Sequence, residues 1–377
     1  MKNDYDVIIV GLGAMGSAAA FYLAKSGQRV AGFDRFHPPH NFGSSHGSSR
    51  IIREAYFEHP IYVPLVQRAY ELWADLENLT GRNLFVQTGG LMIGPPDGTI
   101  VPGAIRSAKE HSLEHRLLNS CEIGEQFPVL EPSADMRGVW EPRAGILFPE
   151  AAVRAHLDAA RTAGATFCFG EPIITWDSEE NSVRVQTARE TFRAGHLVLS
   201  AGPWLGSLVP ELTLPLTVER QVQFWFEPKS NKEDFRVERC PIHIWETPDG
   251  QFFYGLPDLG AGVKVAMHHA GQTTNPDSVD REVHPDEIES MRQLLRQYIP
   301  CADGPLISAA VCMYTNVPDE HFVLDRHPAD PRILIVSPCS GHGFKFSSVI
   351  GQTVAQLVVG QSVPFDLSLF RLGRFAG

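Results

Sequence analysis

Three glycines near the amino terminus, Gly11, Gly13 and Gly16, have the spacing of a turn that binds phosphate groups. They lie between an apolar segment and a helical pattern, so the N–H groups and partial positive charge of a helix N-terminus would face a pyrophosphate. Gly11 permits a tight turn, Gly13 lets the backbone approach the ligand, and Gly16 allows close helix packing. Asp34, which ends the next apolar segment, can accept hydrogen bonds from ribose hydroxyls. The pattern predicts a dinucleotide site but does not distinguish NAD from FAD.

Such a turn must be held by a strand, a helix and a second strand, and the surrounding sequence has this order. Residues 6–10 predict the first strand, residues 14–25 the helix with a stop at Gly27, and residues 29–33 the second strand. Further segments predict helices and strands of the same α/β kind. The predicted helices are 62–79, 150–164, 288–298 and 347–359, and the predicted strands are 196–200 and 333–336.

A second pattern, alternation with period two, covers residues 88–94 and 221–314 and predicts an antiparallel sheet. The two patterns interleave, so the chain is expected to cross several times between a nucleotide-binding domain and a β-rich domain. The nucleotide-binding domain is expected to comprise 1–85, 145–216 and 317–377, and the β-rich substrate domain 86–144 and 217–316. The fold class is therefore α/β plus α+β, a Rossmann-like domain with an antiparallel-sheet substrate domain.

Charge and cysteine usage restrict the partners and the compartment. The net charge of −12 repels nucleic acid and anionic membrane surfaces. The six cysteines have neither zinc-site nor disulfide-scaffold spacing, which favours a reducing cytoplasm and no metal. Residues 7–24 are apolar like a signal peptide, but Asp4, Asp6 and the three glycines argue against one.

Alternation also identifies residues that share a strand face. Lys264 and His268 flank the small Ala266 on one face of the segment 262–268, which could line a cavity. Cys312 and Tyr314 likewise share a face. By residue type alone, Cys312 is a buried apolar thiol and the tyrosine is a packing residue. Arg50 and Arg53 lie three apart in a Gly/Ser-rich loop with few local partners, which favours ligand binding over surface ion pairing.

Six segments, in order and spacing, carry a resemblance to a known family. They are Gly43-Ser-Ser-His-Gly-Ser-Ser-Arg-Ile-Ile-Arg53, Tyr254-Gly-Leu-Pro257, Lys264 with His268, Cys312-Met-Tyr314, Pro318-Asp-Glu-His-Phe322 and Gly341-His-Gly-Phe-Lys-Phe346. Together they resemble the monomeric sarcosine oxidase and N-methyltryptophan oxidase family, FAD enzymes that oxidise N-methyl amino acids. The resemblance covers the chain almost from end to end. It implies FAD, a monomer, and oxidation of a secondary amine by O2 with release of hydrogen peroxide.

The resemblance also implies roles for individual residues. Lys264 would lie beside the flavin ring and promote its reaction with oxygen, because a fixed cation stabilises developing superoxide. Cys312 would hold the flavin through a thioether to the 8α carbon. Arg53 and Lys345 would bind the substrate carboxylate. The other catalytic candidates are His268, Arg50 and His46, and the other substrate-binding candidates are Tyr254, Tyr314, Ile244 and Gly341.

The cofactor itself would contact a larger set of residues. The expected set is Gly11, Gly13, Ala14, Met15, Gly16, Asp34, Arg35, Ser44, His46, Ser49, Arg50, Cys312, Gly341, Gly343, Phe344 and Lys345. Within it, the N–H groups that precede the last helix would face the N1–C2=O edge of the flavin.

The sequence also departs from the family and leaves alternatives open. Ser48 and Ser49 replace an Asp-Thr pair, and Ile244 stands where sarcosine oxidase has a methionine, so another N-methyl amino acid or a cyclic imino acid also fits. The nearest alternative is a related flavin enzyme, for example a dehydrogenase of a D-amino acid or glycerol phosphate that uses another electron acceptor. A catalytically idle flavin-binding subunit and an NAD-dependent dehydrogenase are the remaining alternatives, and the latter explains neither the cysteine strand nor the final glycine loop.

Overall fold

The computed structural model describes residues 4–375, which form two large sheets, one small sheet and the helices that cover them. The helices are α1 (Ala14–Lys25), α2 (Tyr62–Thr80), α3 (Ile100–Glu110), α4 (Ser120–Gln126), α5 (Pro149–Thr162), α6 (Leu205–Leu208), α7 (Pro285–Tyr298) and α8 (Ser347–Val358). The strands are β1 (Asp4–Val10), β2 (Val30–Asp34), β3 (Arg50–Ile52), β4 (Phe85–Gln87), β5 (Gly90–Gly94), β6 (Arg116–Asn119), β7 (Arg137–Glu141), β8 (Gly145–Leu147), β9 (Thr166–Phe169), β10 (Ile173–Ser178), β11 (Val183–Thr187), β12 (Thr191–Leu199), β13 (Thr217–Phe226), β14 (Ile242–Glu246), β15 (Phe252–Leu256), β16 (Val263–His268), β17 (Leu306–Asn316), β18 (Val323–His327) and β19 (Asp330–Ser337).

The first large sheet carries the glycine turn. Its parallel centre has the order β9, β2, β1, β12, β19, and the hairpin β10–β11 and strand β18 extend it with antiparallel pairs. Val7 and Ile9 pack into a core shared with α1, α5 and α8, whereas Ile8 and Val10 point to the opposite face. Burial on both faces explains the continuous apolar run of β1.

Glycines set the ends of the helices around this sheet. Gly27 follows α1 with φ +86° and donates its N–H to the carbonyl of Ala24, so the helix stops where the sequence predicts. Helix α5 ends at Thr162, two residues earlier than predicted, because Gly164 has φ +98° and donates its N–H to the carbonyl oxygen of Arg161.

The second large sheet has the order β17, β13, β16, β15, β14, β5, β7, β6. Its pairs are antiparallel except β14–β5, so the prediction of a wholly antiparallel sheet is wrong at that one pair. The parallel pair joins a strand from residues 90–94 to one from 242–246, and the long connection between them passes through the first sheet. Local alternation cannot reveal this pairing, since both kinds of pair have the same period.

The chain therefore crosses between the two large sheets several times, as predicted. The small sheet β3–β8–β4 lies at one of these crossings and carries Arg50, the first residue of β3. The division into segments 1–85, 86–144, 145–216, 217–316 and 317–377 stays a prediction. Among residues 4–375, none of the helices combines the length and apolar character needed to cross a membrane.

Candidate functional site

The glycine turn connects β1 to α1, and glycine is required at each of its three positions for a different physical reason. Gly11 has φ +88°, and a Cβ there would lie 2.6 Å from the carbonyl oxygen of Ser200. A Cβ on Gly16 would lie 1.8 Å from the carbonyl oxygen of Gly11, so close packing excludes a side chain. Gly13 differs, because the nearest atom to its Cβ would be the Ser45 hydroxyl at 3.5 Å. The protein itself therefore leaves the space beside Gly13 open, as a ligand approaching the backbone requires.

Asp34 ends β2 beside this turn. Its carboxylate accepts hydrogen bonds from the backbone N–H groups of Leu12 and Phe36, both at 2.8 Å. Burial raises the pKa of Asp34, and these two N–H groups oppose the rise. Each carboxylate oxygen keeps a lone pair for a further donor. The neighbouring Arg35 is held by Asp277 at 2.8 Å.

One continuous cavity runs from the glycine turn to the second sheet. The predicted site residues that line it are Gly11, Gly13, Ala14, Met15, Asp34, Arg35, Ser44, Ser49, Arg50, Arg53, Ile244, Tyr254, His268, Tyr314, Gly341, Gly343, Phe344 and Lys345. The remaining predicted residues, Gly16, His46, Lys264 and Cys312, do not line it within the described part of the chain. Tertiary structure thus brings together residues from both sheets and from the last helix connection.

Lys264 lies just outside the cavity wall and is buried to 2% exposure. Its Nζ donates to the carbonyl oxygens of Gly47 at 2.6 Å and Ser49 at 2.9 Å, and to the Ser49 hydroxyl at 3.2 Å. Burial, and next the charge of Arg50, lower the pKa of Lys264 well below its ordinary value. Ser49, one of the departures from the family pattern, is thus a direct partner of this lysine. Ser48 is exposed with φ +66° and makes its backbone contact to Glu150.

Cys312 is buried in β17 and lies beside the same loop. Its Sγ is 3.6 Å from the carbonyl oxygen of Ser44 and 3.7 Å from Nη2 of Arg50. Arg50 and Ser44 both line the cavity, so the thiol lies behind its wall. His46 is also buried, its Nε2 has no hydrogen-bond partner among the described residues, and burial lowers its pKa to about 3.

A buried cationic pair closes the end of the cavity at the second sheet. Arg53 Nη2 lies 2.6 Å from a carboxylate oxygen of Glu58, and Nη1 donates to the carbonyl of Ala55 at 2.9 Å. Lys345 Nζ donates to the carbonyl of His342 at 2.7 Å. Burial, followed by the charge of Arg53, lowers the pKa of Lys345 to about 7. The expectation that Arg53 has few local partners is wrong, because Glu58 turns back onto it.

Aromatic residues form the wall beside this pair. His268 Nδ1 lies 3.2 Å from the Tyr314 hydroxyl, and the rings of His268 and His269 are 4.1 Å apart. Gly341 has φ +76°, and a Cβ there would lie 2.7 Å from Tyr314 and 2.8 Å from His268. Burial lowers the pKa of His268 well below its ordinary value, which makes it a neutral ring.

Sequence reasoning missed several residues at this site. Glu58 and Tyr56 lie beside Arg53 and Lys345, and Gln223 of β13 lines the cavity next to Gly47. The sequence did contain a signal for Glu58, because an acidic residue five positions after Arg53 could form an ion pair with it. None existed for Gln223, since one glutamine in an alternating strand is equally well a solvent-facing residue.

Comparison with known proteins places this geometry in a family. The family model described as FAD dependent oxidoreductase matches residues 6–357. A monomeric sarcosine oxidase of Streptomyces avermitilis is 44% identical over 100% of this chain and 99% of that protein. An N-methyl-L-tryptophan oxidase of Yersinia pestis is 35% identical over 99% of this chain and 100% of that protein.

Solved structures at lower identity share the fold. NikD, an amino acid oxidase of nikkomycin biosynthesis, superimposes with a TM-score of 0.86 at 23% identity over 98% of this chain and 97% of that one. The L-proline dehydrogenase from P. horikoshii gives 0.85 at 20% identity over 99% and 98%. The family model and the full-length relatives make the chain a member of the FAD dependent oxidoreductase family and an amine oxidase of the sarcosine oxidase type.

Proposed function

We propose that this enzyme oxidises the N-methyl group of an N-methyl amino acid, most directly sarcosine, and reduces O2 to hydrogen peroxide. The balanced reaction consumes the secondary amine, O2 and water, and yields the primary amine, formaldehyde and hydrogen peroxide. The full-length relatives named for sarcosine and N-methyl-L-tryptophan support this substrate class. The buried side chains of Arg53 and Lys345 at the cavity support it as well, because they suit the carboxylate that such substrates share.

The observation that carries the proposal is the single cavity with a dinucleotide turn at one end and two buried cations at the other. The cavity extends from Gly11 and Gly13 to Arg53 and Lys345. A buried arginine and lysine attract a carboxylate strongly, because little water competes with it there. The Arg53 Nε also lacks a hydrogen-bond partner among the described residues, so the guanidinium can still donate to a ligand.

The residues present fit FAD as the resident cofactor. Gly13 leaves its surroundings open, Asp34 lies where a ribose is expected, and the buried Nε2 of His46 has no hydrogen-bond partner within residues 4–375. When bound, FAD supplies the acceptor for the two electrons that leave the substrate. The protein then has to bind and orient the substrate and exclude water.

Each residue at the carboxylate end has a task in that process. Arg53 and Lys345 hold the carboxylate and thereby fix the position of the nitrogen and its methyl group. Tyr254, Tyr314 and His268 border the same end, and the pKa shift of His268 keeps its ring uncharged there. A neutral wall does not attract the protonated amine, whose N-methyl carbon cannot be oxidised because the nitrogen has no free electron pair.

Oxygen reduction and flavin attachment are assigned to residues behind the wall. Lys264 is the residue assigned to the reaction with O2, which its protonated form would support by stabilising the negative charge that develops on oxygen. Cys312 would hold the flavin by a thioether to the 8α carbon, and the cavity residues Ser44 and Arg50 lie 3.6 Å and 3.7 Å from its sulfur. We also propose that the enzyme acts as a cytoplasmic monomer, in keeping with the relatives named monomeric.

The function is tested by mixing purified enzyme anaerobically with sarcosine, N-methyltryptophan, proline, a D-amino acid and glycerol phosphate. We expect bleaching of the flavin by an N-methyl amino acid, and peroxide formation when air is admitted. Bleaching by proline, the D-amino acid or glycerol phosphate alone would instead assign a different substrate class. Reduction of the flavin by an N-methyl amino acid without peroxide formation would support the proposed substrate class but contradict the proposed oxidase activity.

Flavin attachment has a separate test. Acid precipitation of the folded yellow protein should leave the colour in the pellet, and Cys312→Ser should release it into the supernatant. Colour that stays in the pellet of the Cys312→Ser variant would move the attachment to another residue.

A further inference from the structure

Gln223 is a buried polar residue to which the proposed reaction gives no task. It lies in β13, is 3% exposed, and lines the cavity. Its Oε1 has no hydrogen-bond partner among residues 4–375. A buried acceptor without a donor is costly, and an apolar side chain of similar size would avoid that cost. The carboxamide is therefore explained best by a donor that the protein chain does not supply.

The strand register places Gln223 among the residues assigned to the flavin. It pairs with Ala266 of β16 and with Ala310 of β17, so these three side chains share one face of the sheet. Lys264 lies two residues before Ala266, and Cys312 two residues after Ala310, on that same face. Gln223 thus stands between the lysine assigned to oxygen and the cysteine assigned to flavin attachment.

The surroundings of the carboxamide keep it directed into this space. The alanines on both sides are small, so the longer glutamine extends past them. The carboxamide packs against Gly47, where a Cβ would lie 2.1 Å from Oε1. The carbonyl of Gly47 accepts the hydrogen bond of Lys264 at 2.6 Å. Gln223 consequently contacts the same loop that orients the lysine.

We propose that Gln223 contacts the cofactor, and that its carboxamide makes a hydrogen bond to the ring system of the bound flavin. A carboxamide presents both an acceptor and a donor, so it can pair with a ring N–H or with a ring nitrogen or carbonyl oxygen. The ring system is favoured over the adenosine end because the adenosine is assigned to Asp34 and the glycine turn, which belong to the other large sheet. This inference rests on the proposed position of the flavin, but not on the identity of the amine.

The test compares Gln223→Leu with Gln356→Leu, each in a Cys312→Ser background so that flavin-free protein can be prepared. Gln356 is a matched control, because its Oε1 also lacks a partner but it lies on α8 and outside the cavity lining. The readouts are the unfolding midpoint with and without FAD, the dissociation constant for FAD, and the visible absorption bands of the bound flavin. None of them requires a substrate.

We expect Gln223→Leu to leave flavin-free protein at least as stable, because the unpaired acceptor is gone. FAD should bind it about tenfold more weakly, which is the loss of about one hydrogen bond. FAD should also raise its unfolding midpoint less, and the absorption bands should shift. Gln356→Leu should change none of the FAD-dependent readouts.

Equal stabilisation by FAD and unchanged absorption bands in Gln223→Leu would overturn the inference and assign the carboxamide to a bound water. If the leucine variant fails to fold, Gln223→Asn can replace it, because it shortens the side chain by one methylene and so moves the carboxamide away from the cavity. The stabilisation by FAD and the absorption bands of this variant are then interpreted in the same way. A protein that binds FAD yet oxidises no N-methyl amino acid would refute the proposed function and leave this test intact.

Discussion

Arg53 and Glu58 form an ion pair at the end of the cavity, with Nη2 of the arginine 2.6 Å from the carboxylate. Both side chains are largely removed from water, at 2% and 13% exposure. In the proposed function, a substrate carboxylate would therefore share the guanidinium with Glu58 or displace it. The ion pair lowers the affinity for a carboxylate ligand, but it keeps the buried guanidinium charge paired when no substrate is bound.

Glu58→Gln should increase the affinity for carboxylate ligands, because it removes the anion that competes for Arg53. We expect about tenfold tighter binding of a carboxylic acid that lacks an amine, measured by perturbation of the flavin absorption. The same change should lower the free energy of unfolding by about 3–5 kcal/mol, since it leaves a buried charge unpaired. Glu71→Gln, at the exposed Arg68 pair, is the control and should alter neither quantity. Weaker binding in a folded Glu58→Gln variant would contradict this competition.

The affinity for such a carboxylate should also depend on pH through Lys345. Its pKa is lowered to about 7, so the ammonium predominates below pH 7 and the neutral amine above it. Because the carboxylate binds the ammonium form, affinity should be constant at low pH and fall about tenfold per unit above pH 7. Lys345→Met should abolish the slope.

A second group titrates in the same range and needs its own control. Burial raises the pKa of Glu141 to about 7, and its carboxylate accepts hydrogen bonds from the N–H groups of Glu54 and Ala55 beside Arg53. Glu141→Gln should keep the slope if Lys345 is responsible. Loss of the slope in Glu141→Gln, with the slope retained in Lys345→Met, would transfer the effect to Glu141.

Gly341→Ala should impair the site through crowding. A Cβ at this position meets Tyr314 at 2.7 Å and His268 at 2.8 Å, in a backbone conformation with φ +76°. We expect kcat/KM to fall by about a hundredfold or more, because a displaced wall misplaces the substrate. Gly360→Ala has nearly the same φ of +72° but nothing within 4 Å, so it tests the backbone penalty alone. It should cost about 1 kcal/mol in stability and leave kcat/KM unchanged.

Gly13→Ala and Gly16→Ala should separate cofactor binding from folding. The space beside Gly13 is open, so Gly13→Ala should fold normally and lose FAD affinity, as titration with FAD would show. A Cβ on Gly16 lies 1.8 Å from the carbonyl oxygen of Gly11, so Gly16→Ala should lower the unfolding midpoint even without FAD. Normal FAD affinity in Gly13→Ala would place the pyrophosphate elsewhere.

Lys264→Met should slow reoxidation of the reduced enzyme by O2 about a hundredfold or more, because the proposed stabilisation of developing superoxide by this lysine is lost. Anaerobic reduction by the amine should change much less. Stopped-flow measurement of the two half-reactions distinguishes these effects. Lys109→Met, at an exposed lysine of α3, serves as the control. Equal slowing of both half-reactions would reject the assigned role.

Much of the fold follows from local sequence. Strand β1, helix α1 and the glycine turn were predicted because apolar periodicity and glycine conformation act over a few residues. Helices α2, α7 and α8 were likewise predicted near their observed ends. The parallel pair β14–β5 was not predicted. Its strands lie about 150 positions apart, and the backbone hydrogen bonds that join them do not depend on the residue pattern of either strand.

The sequence by itself determined the family, and it identified a dinucleotide-type glycine turn and a set of candidate site residues most of which line the cavity, because each depends on short motifs whose residue types are restricted by chemistry. Only the tertiary structure decided that Arg53 is paired with Glu58, that Lys264 donates hydrogen bonds to the 47–49 loop, and that Gln223 lines the cavity with an Oε1 that has no partner in the described part of the chain. These relationships depend on the packing of distant segments, which fixes the burial, charge and hydrogen-bond partners of each group.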